Sequence, residues 1–97
     1  MTSNAVIISK NPAVIDWLND KGIHAPVLEH VVPLDVAHKH VYGTVPYWLA
    51  AFADCITEVN IPGLDRPSRE RFLRGDITIQ EMDAAGAELV TYRVRPV

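Results

Sequence analysis

Three short segments of this 97-residue chain hold side chains that could act on an anionic ligand. Ser9-Lys10-Asn11 sets a hydroxyl, an ammonium and a carboxamide just ahead of Pro12. If a helix starts there, its first N–H groups are free and its end carries partial positive charge, so a phosphate or carboxylate is attracted. Lys10 adds a full charge. The plainer reading is that Asn11 caps the helix and Lys10 is solvated, because capping residues are common at helix starts. Gly43-Thr44-Val45-Pro46 offers a glycine where backbone can come close to a ligand, with a threonine hydroxyl beside it. An ordinary turn accounts for Gly43 equally well. Arg66, Arg69, Arg71 and Arg74 crowd the stretch from Pro62 to Asp76. Arginine meets phosphate at two points and keeps its charge. Against that stands a solvated loop in which Asp65, Glu70 and Asp76 neutralise part of the charge.

Other chemistries find less support. His38 and His40 would share one face of a strand, and with His30 and Glu29 or Asp35 they could hold a metal. Their spacing fits no zinc pattern, so no metal is expected, and a surface, interface or acid–base role remains for them. No G-x-G-x-x-G run, Walker loop or nucleophile elbow occurs, and no cofactor is expected. The lone cysteine, Cys55, excludes an internal disulfide and reads as core at the end of an apolar helix. Hydrophobic residues make up 48% of the chain and charged residues 22%, which describes one folded domain over residues 1–97 rather than a disordered chain. A net charge of −3 argues against duplex nucleic acid as a partner, yet permits a small anion in a local basic pocket. No apolar run nears the ~18 residues that span a bilayer. Ala5-Val-Ile-Ile8 is too short for a secretory signal, so a reducing, cytoplasmic setting away from membranes is expected.

Elements must hold the three segments in place. Asn4–Ser9 is short, apolar and β-branched, and reads as a strand buried on both faces, as in a parallel sheet. Asn11 suits the N-cap, and Pro12 the first turn, of a helix to about Lys21. Ala13, Val14, Trp17 and Leu18 form its inward stripe and Gly22 its stop. Val27–Val32 predicts a second strand that Pro33 ends, and Val36–Tyr42 holds another short apolar run. Tyr47–Asp54 has the Ala and Leu density of a helix, with Pro46 in its first turn. Thr57–Ile61 is a further strand. Pro62–Asp76 reads as an irregular loop, long enough to suspect a function. Thr78 and Glu81 form a capping box for a short helix to Ala85, with Gly86 as its stop. Ala87–Val94 alternates as a closing edge strand. This order predicts a compact Rossmann-like α/β sandwich with a mostly parallel sheet, about five strands and three helices. Ligands of such sheets sit beyond the carboxyl ends of the strands, over helix N-termini. That rule selects Ser9–Asn11, Gly43–Val45 and the start of the arginine-rich stretch after Ile61.

The same residues carry a family likeness. Ile8-Ser-Lys-Asn-Pro-Ala-Val-Ile-Asp-Trp-Leu18, Val41-Tyr-Gly-Thr-Val-Pro-Tyr-Trp-Leu-Ala-Ala51, and then Arg74-Gly-Asp-Ile-Thr78, Glu81-Met82, Gly86-Ala87 and Tyr92-Arg-Val94 resemble the small CRISPR-associated accessory proteins of type III systems, a VVA1548-like family related to the ring nucleases. The middle block is the most specific. The resemblance implies a CARF-like subunit that pairs about a two-fold axis and binds a cyclic oligoadenylate, with cyclic tetra-adenylate the expected ring, across the homodimer. It also implies a metal-independent reaction. A ribose 2′-hydroxyl attacks its own neighbouring phosphate, the 5′-oxygen leaves, and linear products end in a 2′,3′-cyclic phosphate, which switches type III signalling off. Lys10, Asn11 and Ser9 are then the expected catalytic residues, acting by positioning and by stabilising charge on the phosphate. Gly43, Thr44, Val45 and Pro46 form the ligand-binding turn, and Arg66 or Arg69 closes over the ring. Where the family carries Arg-His, this chain has Lys10-Asn11; the charge is kept, but Asn11 cannot carry a proton. The alternative is a sensor or sponge that holds the ring without cutting it. An α/β protein with no nucleotide ligand is the third reading.

Overall fold

The computed structural model describes residues 4–97. In chain order it contains β1 (Ala5–Ile8), α1 (Pro12–Asp20), β2 (Val27–Leu28), α2 (Pro33–Val36), β3 (His40–Gly43), α3 (Tyr47–Ala50), β4 (Cys55–Asn60), α4 (Arg66–Leu73), α5 (Ile79–Ala84) and β5 (Glu88–Tyr92). The strands form one sheet in the order β2-β1-β3-β4-β5. Strands β1 to β4 run parallel, and β5 pairs antiparallel with β4 at the edge. The β-branched run of β1 lies inside the sheet, where both faces need apolar cover. Val6 and Ile8 point into one core, and Ile7 points into the other. Val36 of α2 and Leu49 and Ala50 of α3 cover the first face; Ala13, Trp17 and Leu18 of α1 and Met82 of α5 cover the second. Each of the Val, Leu, Ile and Met side chains here, fully buried, contributes about 1.5–3 kcal/mol relative to exposure. No helix among the described residues is long and apolar enough to cross a membrane.

Polar contacts tie the helices of the second face together. The Trp17 Nε1–H donates to Asp83 Oδ1 at 2.9 Å, and Lys21 Nζ donates to Asp83 Oδ2 at 3.0 Å. Both hold the Asp83 carboxyl below its ordinary pKa, the Trp17 hydrogen bond most of all. The expected capping box starts α5: the Glu81 N–H donates to Thr78 Oγ1 and the Thr78 N–H donates to Glu81 Oε1, each at 3.1 Å. Arg71 grips the same carboxylate at two points, 2.7 and 3.0 Å. The pair with Arg71, helped by the Thr78 N–H, pulls Glu81 down to about 2 from 4.5. A pKa depressed on folding adds stability that is present above 4.5 and lost as pH falls from 4.5 towards 2. Glu81→Gln is therefore expected to flatten the decline of the urea midpoint across that window. Because both side chains are 38% exposed, added salt should weaken the effect. An acid limb of the same slope in parent and variant would discard this coupling.

Among the described residues the helices number five rather than three, because α2 and α4 lie where the sequence predicts strand ending and loop. Pro33 opens α2 instead of merely ending β2. The Asp35 carboxylate accepts the Val32 N–H at 2.9 Å, turning the chain out of the sheet after Leu28. The stretch Pro62–Asp76 is not irregular throughout. Asp65 caps α4 by accepting the Ser68 N–H at 2.9 Å, and Pro67 fits the first turn. The predicted helix at Tyr47–Asp54 stops at Ala50, and Cys55 begins β4, half-buried, instead of ending a helix. His38 sits in a turn at φ +60° before β3, so it shares no strand face with His40.

Candidate functional site

The helices that follow β1 and β3 lie on opposite faces of the sheet, so the turns leaving these neighbouring strands diverge. Divergence of this kind opens a crevice beyond the strands' carboxyl ends. A cleft of about 520 Å³ lies there. Ser9, Lys10 and Asn11 line it from the turn after β1, Gly43 and Thr44 from the end of β3, and Arg69 from α4. Val45 lines a neighbouring groove instead. Pro46 is the N-cap of α3, and Arg66 opens α4 outside the lining of the cleft.

The turn after β1 is held by its own side chains. Ser9 Oγ accepts the Asn11 N–H at 3.1 Å, leaving the hydroxyl proton free to point elsewhere. Asn11 Oδ1 accepts the Ala13 N–H at 3.0 Å, and Asn11 Nδ2 donates to the Phe72 carbonyl at 2.8 Å. Both ends of the carboxamide are thus engaged, one capping α1 and the other reaching α4. Pro12 has no N–H, and that of Ala13 is taken, so α1 offers an anion its partial charge more than its donors. Asn11→Ala is expected to lower stability by about 1–2 kcal/mol through loss of the cap and the bridge. Asn11→Asp should recover only the capping share, because a carboxylate has no hydrogen for the Phe72 carbonyl. Urea midpoints compare the three proteins; an alanine variant as stable as the parent would show that neither bond matters.

Two glycines let backbone close around this turn. Gly43 has φ +132°, and a Cβ there would collide with the Ile8 carbonyl oxygen and lie 2.9 Å from its carbon. The missing side chain lets β3 pack directly against β1 at the floor of the cleft. Gly75, at φ +74°, brings the chain after α4 against Pro12, where a Cβ would meet the ring at 2.8 Å. Together with the Asn11 bridge, this seats α4 beside the start of α1.

Charge in the cleft is unbalanced. Among the described residues, neither Lys10 nor Arg69 forms an ion pair. Arg71 is held by Glu81, and Arg74 caps the end of α4. Of the four arginines in this stretch, Arg69 is the one that lines the cleft. Glu58 and Asn60 enter from β4 and were not singled out from sequence. Their signal is the alternation Ile56, Glu58, Asn60 along one face at the carboxyl end of a strand. No histidine lines the cleft. His40 instead stacks on Tyr42 with ring centroids 4.3 Å apart and shares a 2.5 Å hydrogen bond with Thr57. Burial lowers its pKa. Among the described residues there is no group of three or more His, Cys, Asp or Glu side chains placed to hold a metal.

Two of the segments that carried the likeness, Ser9–Asn11 and Gly43–Thr44, thus meet on one cleft at the carboxyl ends of a mostly parallel sheet. No curated protein and no solved structure matches the chain. A family match covers residues 6–95, nearly the whole sheet and all five helices, and the chain belongs to that family, described as "Putative CRISPR-associated protein (Cas_VVA1548)".

Proposed function

We propose that this protein is a ring nuclease with a Rossmann-like, CARF-like subunit that binds a cyclic oligoadenylate in the cytoplasm and opens it without a metal. The observation that carries the reading is the placing of Lys10 and Arg69, which form no ion pair among the described residues, on one cleft with the Ser9 and Thr44 hydroxyls, in a protein of net charge −3. Such a cleft suits a phosphodiester. The ligand supplies its own nucleophile: the 2′-oxygen forms a bond to phosphorus, the bond from phosphorus to the 5′-oxygen breaks, and a 2′,3′-cyclic phosphate remains. Lys10 and Arg69 take up the charge that builds on the phosphoryl oxygens. Ser9 and Thr44 orient the ribose and phosphate, and Asn11 fixes the turn that presents Lys10. Glu58 is the carboxylate of the cleft and accepts the 2′-proton, while solvent protonates the leaving 5′-oxygen.

A two-fold ring on a two-fold dimer lets each subunit supply half of the site. Support for pairing comes from the α2–α3 side, where Leu34, Trp48 and Phe52 stand in water, Trp48 with 63% of its surface exposed. The binding-only reading is favoured by one specific feature, the engagement of both ends of Asn11, which leaves the turn after β1 without a free polar group at that position. Incubation with cyclic tetra-adenylate in excess chelator separates the readings. Linear products ending in 2′,3′-cyclic phosphate are expected. A ring bound tightly but left whole at excess protein selects the sponge, and absence of binding overturns both.

A further inference from the structure

A second groove, about 480 Å³, lies on the other side of Glu58, between α3 and β5. Glu58 lines both spaces, and the turn after β3 gives Thr44 to the first and Val45 to the second. Tyr47 and Tyr92 line the second groove with 82% and 45% of their surfaces in water. Arg93 and Arg95 line it too, and neither forms an ion pair among the described residues. Exposed aromatic faces beside free guanidinium groups are the chemistry that receives a nucleobase by stacking and its phosphate by paired hydrogen bonds. The first cleft lies within the range of about 300–1,000 Å³ that takes a single small ligand, so it has room for part of a multi-nucleotide ring and not for all of it. Across both spaces, four cations that form no ion pair among the described residues line the walls with one carboxylate, in a chain of net charge −3.

We infer that the groove between α3 and β5 is a second nucleotide subsite. Resting on the cyclic oligoadenylate reading, the assignment gives Tyr47 a stacking role against an adenine and gives Arg93 and Arg95 a further phosphate of the same ring. Arg93 and Arg95 follow β5, whose antiparallel register sets Tyr92 opposite Ile56 and so carries them towards the amino end of β4.

The test uses cyclic tetra-adenylate with 2′-deoxyribose throughout, which lacks the nucleophile and cannot be cut, so calorimetry reads binding alone. The double variant Arg93→Ala/Arg95→Ala is expected to bind at least tenfold more weakly, with a shallower dependence on salt because fewer counterions are released. Tyr47→Ala should weaken binding about tenfold, within the range found for single base–aromatic stacks, while Tyr47→Phe binds as the parent does. Tyr47 is mostly in water, so its variants should keep the parent's unfolding midpoint. Parent-like affinity in both the arginine double variant and Tyr47→Ala would overturn the subsite and leave the first cleft standing. A parent protein that binds no ring would overturn the subsite and the proposed function together.

Discussion

Lys10→Ala is expected to slow cleavage of cyclic tetra-adenylate by at least about tenfold, a loss of roughly 1.4 kcal/mol of transition-state stabilisation. The side chain is exposed, makes no ion pair among the described residues, and stands at the mouth of the cleft. Removing it should therefore leave the unfolding midpoint unchanged, so a fall in rate reports on chemistry rather than on folding. Charge builds on the phosphate as the 2′-oxygen attacks. A cation that is stronger for the transition state than for the ground state lowers kcat, whereas one that holds both equally only raises KM. The expected pattern is a drop in kcat under saturating ring. Lys10→Arg keeps the charge and should retain most of the rate. In the proposed reaction Arg69 meets the same phosphate from α4, so the double variant Lys10→Ala/Arg69→Ala should lose less than the product of the two single losses. Parent-like turnover in Lys10→Ala would remove the ammonium from the mechanism.

Gly43→Ala should be the most damaging small substitution in the sheet. Its methyl group would have to occupy the space of the Ile8 carbonyl, which is backbone and cannot rotate aside. At φ +132° an alanine is strained as well. The two strands would part where Ile8 pairs with Gly43, at the floor of the cleft. A cost above about 3 kcal/mol is expected, against a total of about 5–15 kcal/mol for a domain of this kind. That corresponds to a fall in Tm of more than about 10 °C. Gly22→Ala is the control: its φ is +87°, but nothing lies within 4 Å of the added carbon, so strain alone applies. Its cost should stay near 1 kcal/mol. Equal melting temperatures for the two variants would mean that β3 and β1 can separate without harm.

Much of the frame was written locally. The uncharged β-branched run, the Asn11-Pro12 start of α1 and the Thr78–Glu81 box are short-range signals, and each forms as the spacing predicts. Helix α4 escaped because it has no buried residue and hence no apolar stripe; its marks are only Asp65 at the cap and Pro67 in the first turn. Which arginine is free was hidden too. Arg71 and Arg69 look alike in sequence, and only the packing of α5 puts Glu81 against the former. The alternation through Glu58 marks a strand face, but only the strand order sets that face beside the turn after β3. The stretch before α2 misled because Val27–Val32, with three valines and a leucine, has the composition of a full strand, while Asp35 turns the chain early.

The bridge from Asn11 to the Phe72 carbonyl has a thermodynamic consequence. It fastens the backbones that carry Lys10 and Arg69 before any ligand arrives. What association must still immobilise is then the rotation of two long side chains, about 1.5–2 kcal/mol each, instead of a whole wandering segment at 1–2 kcal/mol for every residue. A cleft stiffened in this way holds a ligand more tightly for the same contacts, since little of the attraction is consumed in ordering the receptor.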